Sequence, residues 1–462
     1  MIFTEFRFLI FFLIVFGVYW TLSGHRARKL WLLGASYVFY AGWDPVFLSL
    51  IVASTLVDWF VGTQLLVETD PARRKRWLHL SLAANLGMLG FFKYYNFFVE
   101  SGAAFLDWLG LPVGAATLDI VLPVGISFYT FQTLSYSIDA YKGRLTPTRN
   151  LLDVALFVGF FPQLVAGPIV RAVEFMPQLV EKRRWEWIAV RPCLVLFMVG
   201  FIKKAVVSDG IAEFVDAYFE DPTAWSAASA WAAVPLYTAQ LYCDFSGYSD
   251  MAIATAGLLG YNLTDNFDFP YFAASITDFW RRWHISLSFW LRDYIYFPLG
   301  GSLGGTLATW RNLCITWLAS GLWHGADWHY VVFGAVMPPA LIVHRHWSKA
   351  GLRLPHVVGV VMTWLYMCMA FTFLRAPSVP VGIDACKAFF LLESPGTRLL
   401  GDRLAWLFVG LVVIHWIAYR RLLAVWWERL PRLAFAAVYG VLAAALLALS
   451  SPQAQPFVYF QF

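Results

Sequence analysis

DFWRRWHISLSFWLRDYIYFPLGG, residues 278–301, decides the fold because it concentrates charge within an otherwise apolar chain. Sixteen of its residues hold three tryptophans and six ionisable side chains, namely Asp278, Arg281, Arg282, His284, Arg292 and Asp293. No proline or glycine interrupts the stretch before Pro298. It therefore predicts one continuous helix up to that proline.

Spacings of three and four residues divide this predicted helix into an apolar stripe and two polar stripes. The apolar stripe contains Trp280, Trp283, Leu287, Trp290 and Tyr294. The polar stripes are Arg281, His284, Ser288 and Arg292 on one side and Asp278, Arg282, Ser286 and Asp293 on the other. Because such a helix cannot face acyl chains on all sides, we expect it at a membrane interface or along a water-filled cleft.

The composition predicts an all-α polytopic membrane protein, with residues 1–462 in one integral-membrane domain. Of 462 residues, 60% are hydrophobic and 14% are charged, whereas soluble domains carry about 25% charged residues. The net charge of +5 comes from short basic clusters between apolar runs. Such clusters anchor a protein at the cytoplasmic face of a lipid bilayer, so we expect no nucleic-acid partner.

Apolar runs long enough to cross a bilayer alternate with charged loops. The first such runs are 2–22, 29–45, 46–66, 77–98 and 120–140. Basic loops at 23–30, 67–77 and 141–150 predict cytoplasmic positions, and the acidic loop 210–226 predicts the opposite side. Continued along the chain, this alternation predicts about 11–12 crossings with both termini outside.

The apolar run 151–170 does not fit this alternation. Basic residues flank it on both sides, and it contains Pro162, Gly167 and Pro168. A segment that begins and ends on one side, with helix breakers inside, is typical of a re-entrant segment. Non-helical backbone at membrane depth survives where protein buries it or a cavity hydrates it, which predicts an internal cavity.

His324 is the first catalytic candidate. It lies in the WHGAD turn between two apolar runs, 309–323 and 328–343. An arm of about 15 residues rises about 22 Å as a helix, against a hydrocarbon core of about 30 Å. We therefore expect the turn to stop inside the membrane, beside Trp323. An imidazole there can take a proton from a hydroxyl, which suits acyl transfer, although a histidine between apolar residues can also serve packing alone.

His284 is the second candidate. It could orient substrate, assist His324 or pair with a neighbouring acid. We expect the charged and aromatic residues around these two histidines to line a substrate tunnel or cleft. The predicted lining is Asp244, Asp278, Arg281, Arg282, Trp283, Arg292, Asp293, Tyr294 and Trp323.

Asp244 and Asp250 interrupt apolar sequence, and the residues leave two interpretations open for them. Either acid could be a cleft residue, or could be paired with an arginine downstream. No metal site is expected, because the closely spaced histidine pairs lack a third ligand at a convincing distance. Fingerprints of a phosphate-binding loop, a dinucleotide site or a serine-hydrolase elbow are absent from the sequence.

Several long motifs resemble the membrane-bound O-acyltransferase family, and within it the bacterial branch that includes the alginate O-acetyltransferase membrane subunit. The motifs are SYVFYAGW (36–43), LPVGISFYTFQTLSYSIDAY (122–141), YCDFSGYSDMA (242–252), DFWRRWHISLSFWLRDYIYFPLGG (278–301), WHGADW (323–328) and PFVYFQF (456–462). The resemblance extends over essentially the whole chain.

The resemblance implies a ring of helices around a thin central region, with a tunnel from a cytoplasmic entrance to an outer cleft. It implies that His324 is the catalytic base and His284 the second hallmark histidine. It further implies a multi-pass protein of the bacterial inner membrane that passes an acetyl group outward. The donor would be acetyl-CoA or an acyl carrier, with no bound cofactor.

A periplasmic or membrane-tethered acetyltransferase partner would complete the transfer to an exported polysaccharide such as alginate. The sequence leaves sister activities open, namely D-alanylation of teichoic acid and acetylation of peptidoglycan or cellulose. A transporter or flippase is the alternative from another class, because charges and broken helices inside a membrane also mark transport sites. The lack of an internal repeat argues against it.

Overall fold

The structure, a computed structural model, consists of two compact units and describes residues 1–164, 167–401, 403–422 and 426–449. The first unit comprises Met1–Cys193 and Ala252–Thr264, and the second comprises the described residues of Leu194–Met251 and Asp265–Phe462. The aromatic ending predicted to match the family, residues 456–462, lies outside the described residues. The single-domain interpretation stays a prediction.

Helices form nearly all the regular structure of the first unit. They are α1 Phe6–Thr21, α2 His25–Ala41, α3 Leu48–Val67, α4 Pro71–Leu89, α5 Tyr95–Trp108, α6 Ile126–Tyr141, α7 Leu151–Gly159, α8 Phe161–Leu164 and α9 Ala172–Val180. Local sequence explains their ends. For example, the Asp70 side chain accepts a hydrogen bond from the Arg73 N–H, and Pro71 starts α4 where no N–H donor is needed.

A buried carboxylate ties three helices of the first unit together. Asp58 on α3 accepts hydrogen bonds from Ser81 Oγ at 2.5 Å, Asn85 Nδ2 at 2.7 Å and Ser137 Oγ at 2.5 Å. These donors lie on α4 and α6. A buried polar group is tolerated when it is hydrogen-bonded, and this group fixes how the three helices align.

The described residues of the second unit are also helical. The helices are α10 Val190–Phe201, α11 Asp209–Glu220, α12 Ala227–Leu258, α13 Ile276–Arg282, α14 Ile285–Leu291, α15 Gly305–His324, α16 Trp328–Lys349, α17 His356–Arg375, α18 Val379–Cys386, α19 Arg403–Tyr419 and α20 Arg432–Leu449. Helices α10 and α12 contribute residues to both units. Short π-helical segments extend α10 over Ile202–Ser208 and α14 over Arg292–Tyr296.

The prediction of one continuous helix from residue 278 is wrong, because the helix breaks at His284. Helix α13 ends at Arg282, and α14 begins at Ile285. Two backbone hydrogen bonds to a preceding loop replace the helical ones: the Asp268 N–H donates to the Arg282 carbonyl at 2.9 Å, and the Ile285 N–H donates to the Asn266 carbonyl at 3.0 Å. Tertiary contacts therefore override a local pattern that contains no helix breaker.

The hairpin around residue 324 is present, but its arms are longer than predicted. Helix α15 has 20 residues and α16 has 22. At 1.5 Å per residue, α15 is about 30 Å long, which equals the thickness of the hydrocarbon core. Arm length therefore no longer requires the turn to stop inside the membrane.

Two glycines let the arms of this hairpin approach closely. A Cβ on Gly321 would lie 2.3 Å from the Tyr330 carbonyl oxygen, and one on Gly334 would lie 2.5 Å from the Trp317 carbonyl oxygen. Small residues at helix contacts are typical of membrane helix pairs, because they bring backbones together. The hairpin is thus a rigid support for the turn that holds His324.

Among the described residues, two helices are long and apolar enough to cross a bilayer by length and composition, α3 and α17. Three shorter helices are also apolar: Phe6–Thr21, Leu404–Tyr419 and Arg432–Ala448. The larger number of crossings stays a prediction. The run 151–170 contains the short helices α7 and α8, as its helix breakers suggest, and its re-entrant path also stays a prediction.

Candidate active site

His284 occupies the break between α13 and α14 in a strained backbone conformation. Its φ of 42° and ψ of 56° lie in the left-handed region, where a residue other than glycine costs about 1–3 kcal/mol. The side chain is 1% exposed. Phe245 of α12 packs against it, with ring centroids 4.5 Å apart and ring planes at 90°. Such strain is retained where the surrounding structure holds it, and it is frequent at functional sites.

His324 is the last residue of α15 and is 4% exposed. Its ring meets the Phe333 ring edge to face, with centroids 5.3 Å apart and planes at 90°. The turn then leads into α16, whose first residues are capped by the Asp327 side chain, which accepts a hydrogen bond from the His329 N–H. The imidazole is therefore held by the end of one helix and the first turns of the next.

Trp323 connects the two histidines. Its ring centroid lies 5.6 Å from that of His284 and 5.1 Å from that of His324. All three side chains are buried. The structure thus brings the two predicted catalytic residues onto one indole ring, although they are separated by a helix break and by the whole of α15.

Gly325 leaves room for this arrangement. A Cβ at this position would lie 1.9 Å from Cε2 of the Tyr330 ring, a distance that no side chain tolerates. The Tyr330 ring itself contacts the His329 ring, with centroids 3.8 Å apart and planes inclined at 43°. Only glycine therefore lets the chain leave His324 without displacing the buried Tyr330 ring.

Trp283 faces a different environment from its neighbour His284. It is buried, with Phe279 and Phe371 ring centroids at 5.6 Å and 4.9 Å. These residues belong to the large apolar cluster of the second unit. Trp283 therefore anchors the helix break in the apolar core, one residue before the strained histidine.

The charged residues predicted to line a cleft form separate local pairs. Arg282 Nε donates to Asp278 at 3.0 Å, and Arg281 beside it is exposed. In the π-helical turn, the Arg292 guanidinium donates to both oxygens of Asp293, at 2.7 Å and 3.2 Å. The next residue, Tyr294, packs on Trp290 with ring centroids 5.0 Å apart.

Asp244 is fully buried in an ion pair on α12. Its Oδ1 lies 2.6 Å from Nζ of Lys204, which also lies 2.7 Å from Asp209 Oδ1. Asp250, two turns further along α12, is paired with Lys203 at 2.7 Å. Both acids are therefore paired, as one of the two interpretations predicts. Their partners are lysines upstream in the sequence, however, and not the downstream arginines of that interpretation.

Sequence reasoning missed two aromatic side chains that hold the histidines, Phe245 and Phe333. Phe245 lies in the YCDFSGYSDMA motif, directly after the charged residue Asp244. Phe333 lies in an apolar run in which no phenylalanine is distinguished from its neighbours. The described residues contain no group of three His, Cys, Asp or Glu side chains that could hold a metal ion.

Comparison with known proteins places the sequence of this chain in a family. The profile of MBOAT, the membrane-bound O-acyltransferase family, matches residues 145–376, which include both histidines. The probable alginate O-acetylase AlgI of Pseudomonas putida is 38% identical over the full length of both chains.

Two further relatives extend the comparison. The probable alginate O-acetylase AlgI of Pseudomonas aeruginosa is 41% identical over 90% of this chain and 80% of its own. The peptidoglycan O-acetyltransferase of Helicobacter pylori is 38% identical over 78% of this chain and 73% of its own. The chain therefore belongs to the membrane-bound O-acyltransferase family.

Proposed function

We propose that this chain passes an acyl group, specifically an acetyl group, from a cytoplasmic donor across the bacterial inner membrane. The acetyl group then serves for O-acetylation of an exported polysaccharide such as alginate. The observation that carries this proposal is the contact of His284 and His324 with the single indole of Trp323. A buried pair of imidazoles supplies one proton acceptor and one group that orients the reactants, as acyl transfer to a hydroxyl requires.

In the proposed reaction, a ring nitrogen of His324 takes the proton from an acceptor hydroxyl. The freed oxygen attacks the carbonyl carbon of the acyl thioester, and a new C–O ester bond forms as the C–S bond breaks. The sulfur leaves as thiolate and receives the proton from His324. The donor class, acetyl-CoA or an acyl carrier, provides the thioester, and no bound cofactor or metal ion takes part.

His284 is assigned to orientation rather than to proton transfer. Its ring is fixed by Phe245 on one side and by Trp323 on another. Fixing reacting groups in the correct geometry contributes strongly to rate, because the entropy of bringing them together is lost before the reaction begins. The two histidines thus have different expected sensitivities to substitution.

The final acceptor is proposed from the relatives. Those named alginate O-acetylases match this chain over its full length or nearly so, which favours alginate. The peptidoglycan O-acetyltransferase covers less of the chain at a similar identity, so peptidoglycan is the second candidate. In either case we propose that a periplasmic or membrane-tethered acetyltransferase partner completes the transfer, and that a tunnel within a multi-pass ring of helices carries the group outward.

The test uses membranes that contain this chain, its partner and the polysaccharide, together with acetyl-CoA labelled in the acetyl group. We expect label to appear as an alkali-labile ester on the partner or polymer. His324→Ala should remove this signal. His329→Gln is the matched control, because its amide can still donate to the Phe373 carbonyl that His329 Nδ1 contacts at 2.8 Å.

A transporter or flippase would move an intact solute and form no new ester. If label stays on the donor although the partner and acceptor are present, the transferase proposal is wrong. Separate assays with alginate and with peptidoglycan as acceptor decide between the two polymers, since only the correct polymer should gain ester.

A further inference from the structure

The backbone at His284 requires a restraint that the two short helices beside it do not provide. The residue lies in the left-handed region, in a segment without glycine, between α13 of seven residues and α14, which has seven residues before its π-helical extension. Helices this short have little stability of their own. Some other part of the second unit must therefore hold the turn in place.

Asn266 makes the contacts that hold it. Its carbonyl oxygen accepts from the Ile285 N–H at 3.0 Å, and its Oδ1 accepts from Ser286 Oγ at 2.6 Å and from the Ser286 N–H at 3.3 Å. One residue thus binds both positions that follow His284. The asparagine and the serine are both buried, so these hydrogen bonds are protected from water.

The other end of the Asn266 side chain is fixed to α12. Its Nδ2 donates to Ser249 Oγ at 3.1 Å, and Ser249 is buried too. Ser249 lies one helical turn after Phe245, the residue whose ring packs against His284. Helix α12 therefore positions the imidazole through Phe245 and the backbone beneath it through Ser249 and Asn266.

We propose that Asn266 is a positioning residue for acyl transfer: it clamps the strained turn so that the His284 side chain points toward Trp323 and His324. The inference rests on the proposed function of that site. A relaxed turn would move the imidazole while leaving His324, on its separate hairpin, where it is.

The clamp predicts a loss of rate without a loss of donor binding. Asn266→Ala should lower kcat on the order of 10- to 100-fold, because small displacements of a reacting group have effects of this size. The KM for the acetyl donor should stay within about twofold of wild type. Ser286→Ala, which removes only the hydroxyl contact, should give a smaller loss.

Thr238→Ala is the matched control. Thr238 carries a buried hydroxyl on α12, the helix that also holds Ser249, and its Oγ1 donates to the Pro235 carbonyl of that helix at 2.7 Å. This variant should keep the wild-type kcat. If Thr238→Ala and Asn266→Ala lose activity and folded protein to the same degree, the positioning role is wrong and Asn266 serves folding alone.

A second measurement does not depend on activity. Diethyl pyrocarbonate modifies accessible imidazoles, and peptide mass spectrometry reports the extent at each histidine. In Asn266→Ala membranes, His284 should be modified several-fold faster than in wild type, with His324 unchanged and the exposed His356 as internal reference. Wild-type modification rates at His284 in this variant would overturn the proposal.

The two measurements separate the clamp from the proposed function. If the wild-type chain transfers no acyl group, the proposed function fails, and the modification rates still report whether Asn266 holds the turn. If transfer proceeds normally in Asn266→Ala and His284 stays protected, the clamp fails and the proposed function stands. Faster modification of both histidines would indicate general loosening and would also contradict the clamp.

Discussion

The ring of His284 stands at 90° to the ring of Phe245, with 4.5 Å between their centroids. Phe245 is completely buried on α12, so it cannot turn away from the histidine without opening a cavity. Edge-to-face aromatic pairs contribute about 0.5–1.5 kcal/mol beyond the area they bury. The contact therefore restricts the imidazole to few orientations.

We predict that Phe245→Leu lowers the rate of acyl transfer about tenfold or more, because a smaller, flexible side chain leaves the imidazole free to tilt. Phe214→Leu is the control, since Phe214 is exposed on α11 of the same unit. Transfer rate per folded molecule should fall for the first variant only. Equal rates in the two variants would show that the ring contact does not set the position of His284.

The two histidines should respond differently to substitution. A general base contributes about 10²–10⁴-fold to a rate, so His324→Ala should abolish detectable acylation while the protein still accumulates in the membrane. His324→Gln should recover nothing, because an amide cannot take the proton. Both effects are measured as labelled ester formed per molecule of folded protein.

His284→Ala should also reduce activity, with some loss of folded protein, because His284 packs between Phe245 and Trp323. His284→Gln keeps a donor and an acceptor and should recover part of the rate. The assignment of base to His324 fails if His324→Gln works at near wild-type rate. It reverses if only the His284 variants are inactive in well-folded protein.

Gly325→Ala should be as damaging as loss of the base itself. The added methyl group would lie 1.9 Å from the buried Tyr330 ring, and relief requires movement of that ring or of the chain that follows His324. We expect at least a 100-fold loss of transfer and a lower thermal stability. Gly210→Ala is the control, because a Cβ there meets no atom within 4 Å. Normal transfer by Gly325→Ala would mean that the turn adapts without moving the imidazole.

Apolar run length predicts much of the helical framework: the predicted runs 2–22, 29–45 and 46–66 correspond to α1, α2 and α3. The sequence predicts the site less completely. His284 and His324 are conspicuous because ionisable side chains interrupt apolar sequence, but their common contact with Trp323 depends on the tertiary fold. The sequence does not predict the break at His284, because the hydrogen bonds that replace the helical ones are made with Asn266, which accepts from Ile285, and with Asp268, which donates to Arg282. No local pattern indicates such long-range partners.

The buried lysine on the extension of α10 should matter for folding rather than for rate. Lys204→Met would leave Asp209 and Asp244 buried without their common cation. Removing one member of a buried ion pair costs about 3–5 kcal/mol. Asp244→Asn should cost less, because Lys204 keeps Asp209. Neither variant should change the transfer rate of the molecules that fold.

Lys387→Met provides the comparison, since Lys387 and Asp384 form a pair whose side chains are 52% and 41% exposed. Exposed pairs contribute about 0–1 kcal/mol. Thermal stability in detergent is measured by fluorescence-detected size exclusion. Lys387→Met should lose the least stability, Asp244→Asn more, and Lys204→Met the most. If Asp244→Asn folds well but is inactive, Asp244 is instead a functional residue of the substrate cleft.

The topology prediction can be tested by cysteine labelling at positions that the structure shows to be accessible. Lys75 lies in the first turns of α4, within the basic segment 67–77 that is expected to face the cytoplasm. Glu220 ends α11, within the acidic segment 210–226 that is expected to face the periplasm, and both residues are exposed. The neighbouring Arg74 and Tyr218 are unsuitable, because the first bonds to backbone carbonyls and the second is buried.

In a background without the five native cysteines, Glu220→Cys should react with a membrane-impermeant maleimide added to intact cells. Lys75→Cys should react only after the membrane is opened, because the excess of arginine and lysine keeps that loop inside. Strong labelling of Lys75→Cys from outside, with none of Glu220→Cys, would invert the arrangement and place the donor entrance on the wrong side for a cytoplasmic thioester.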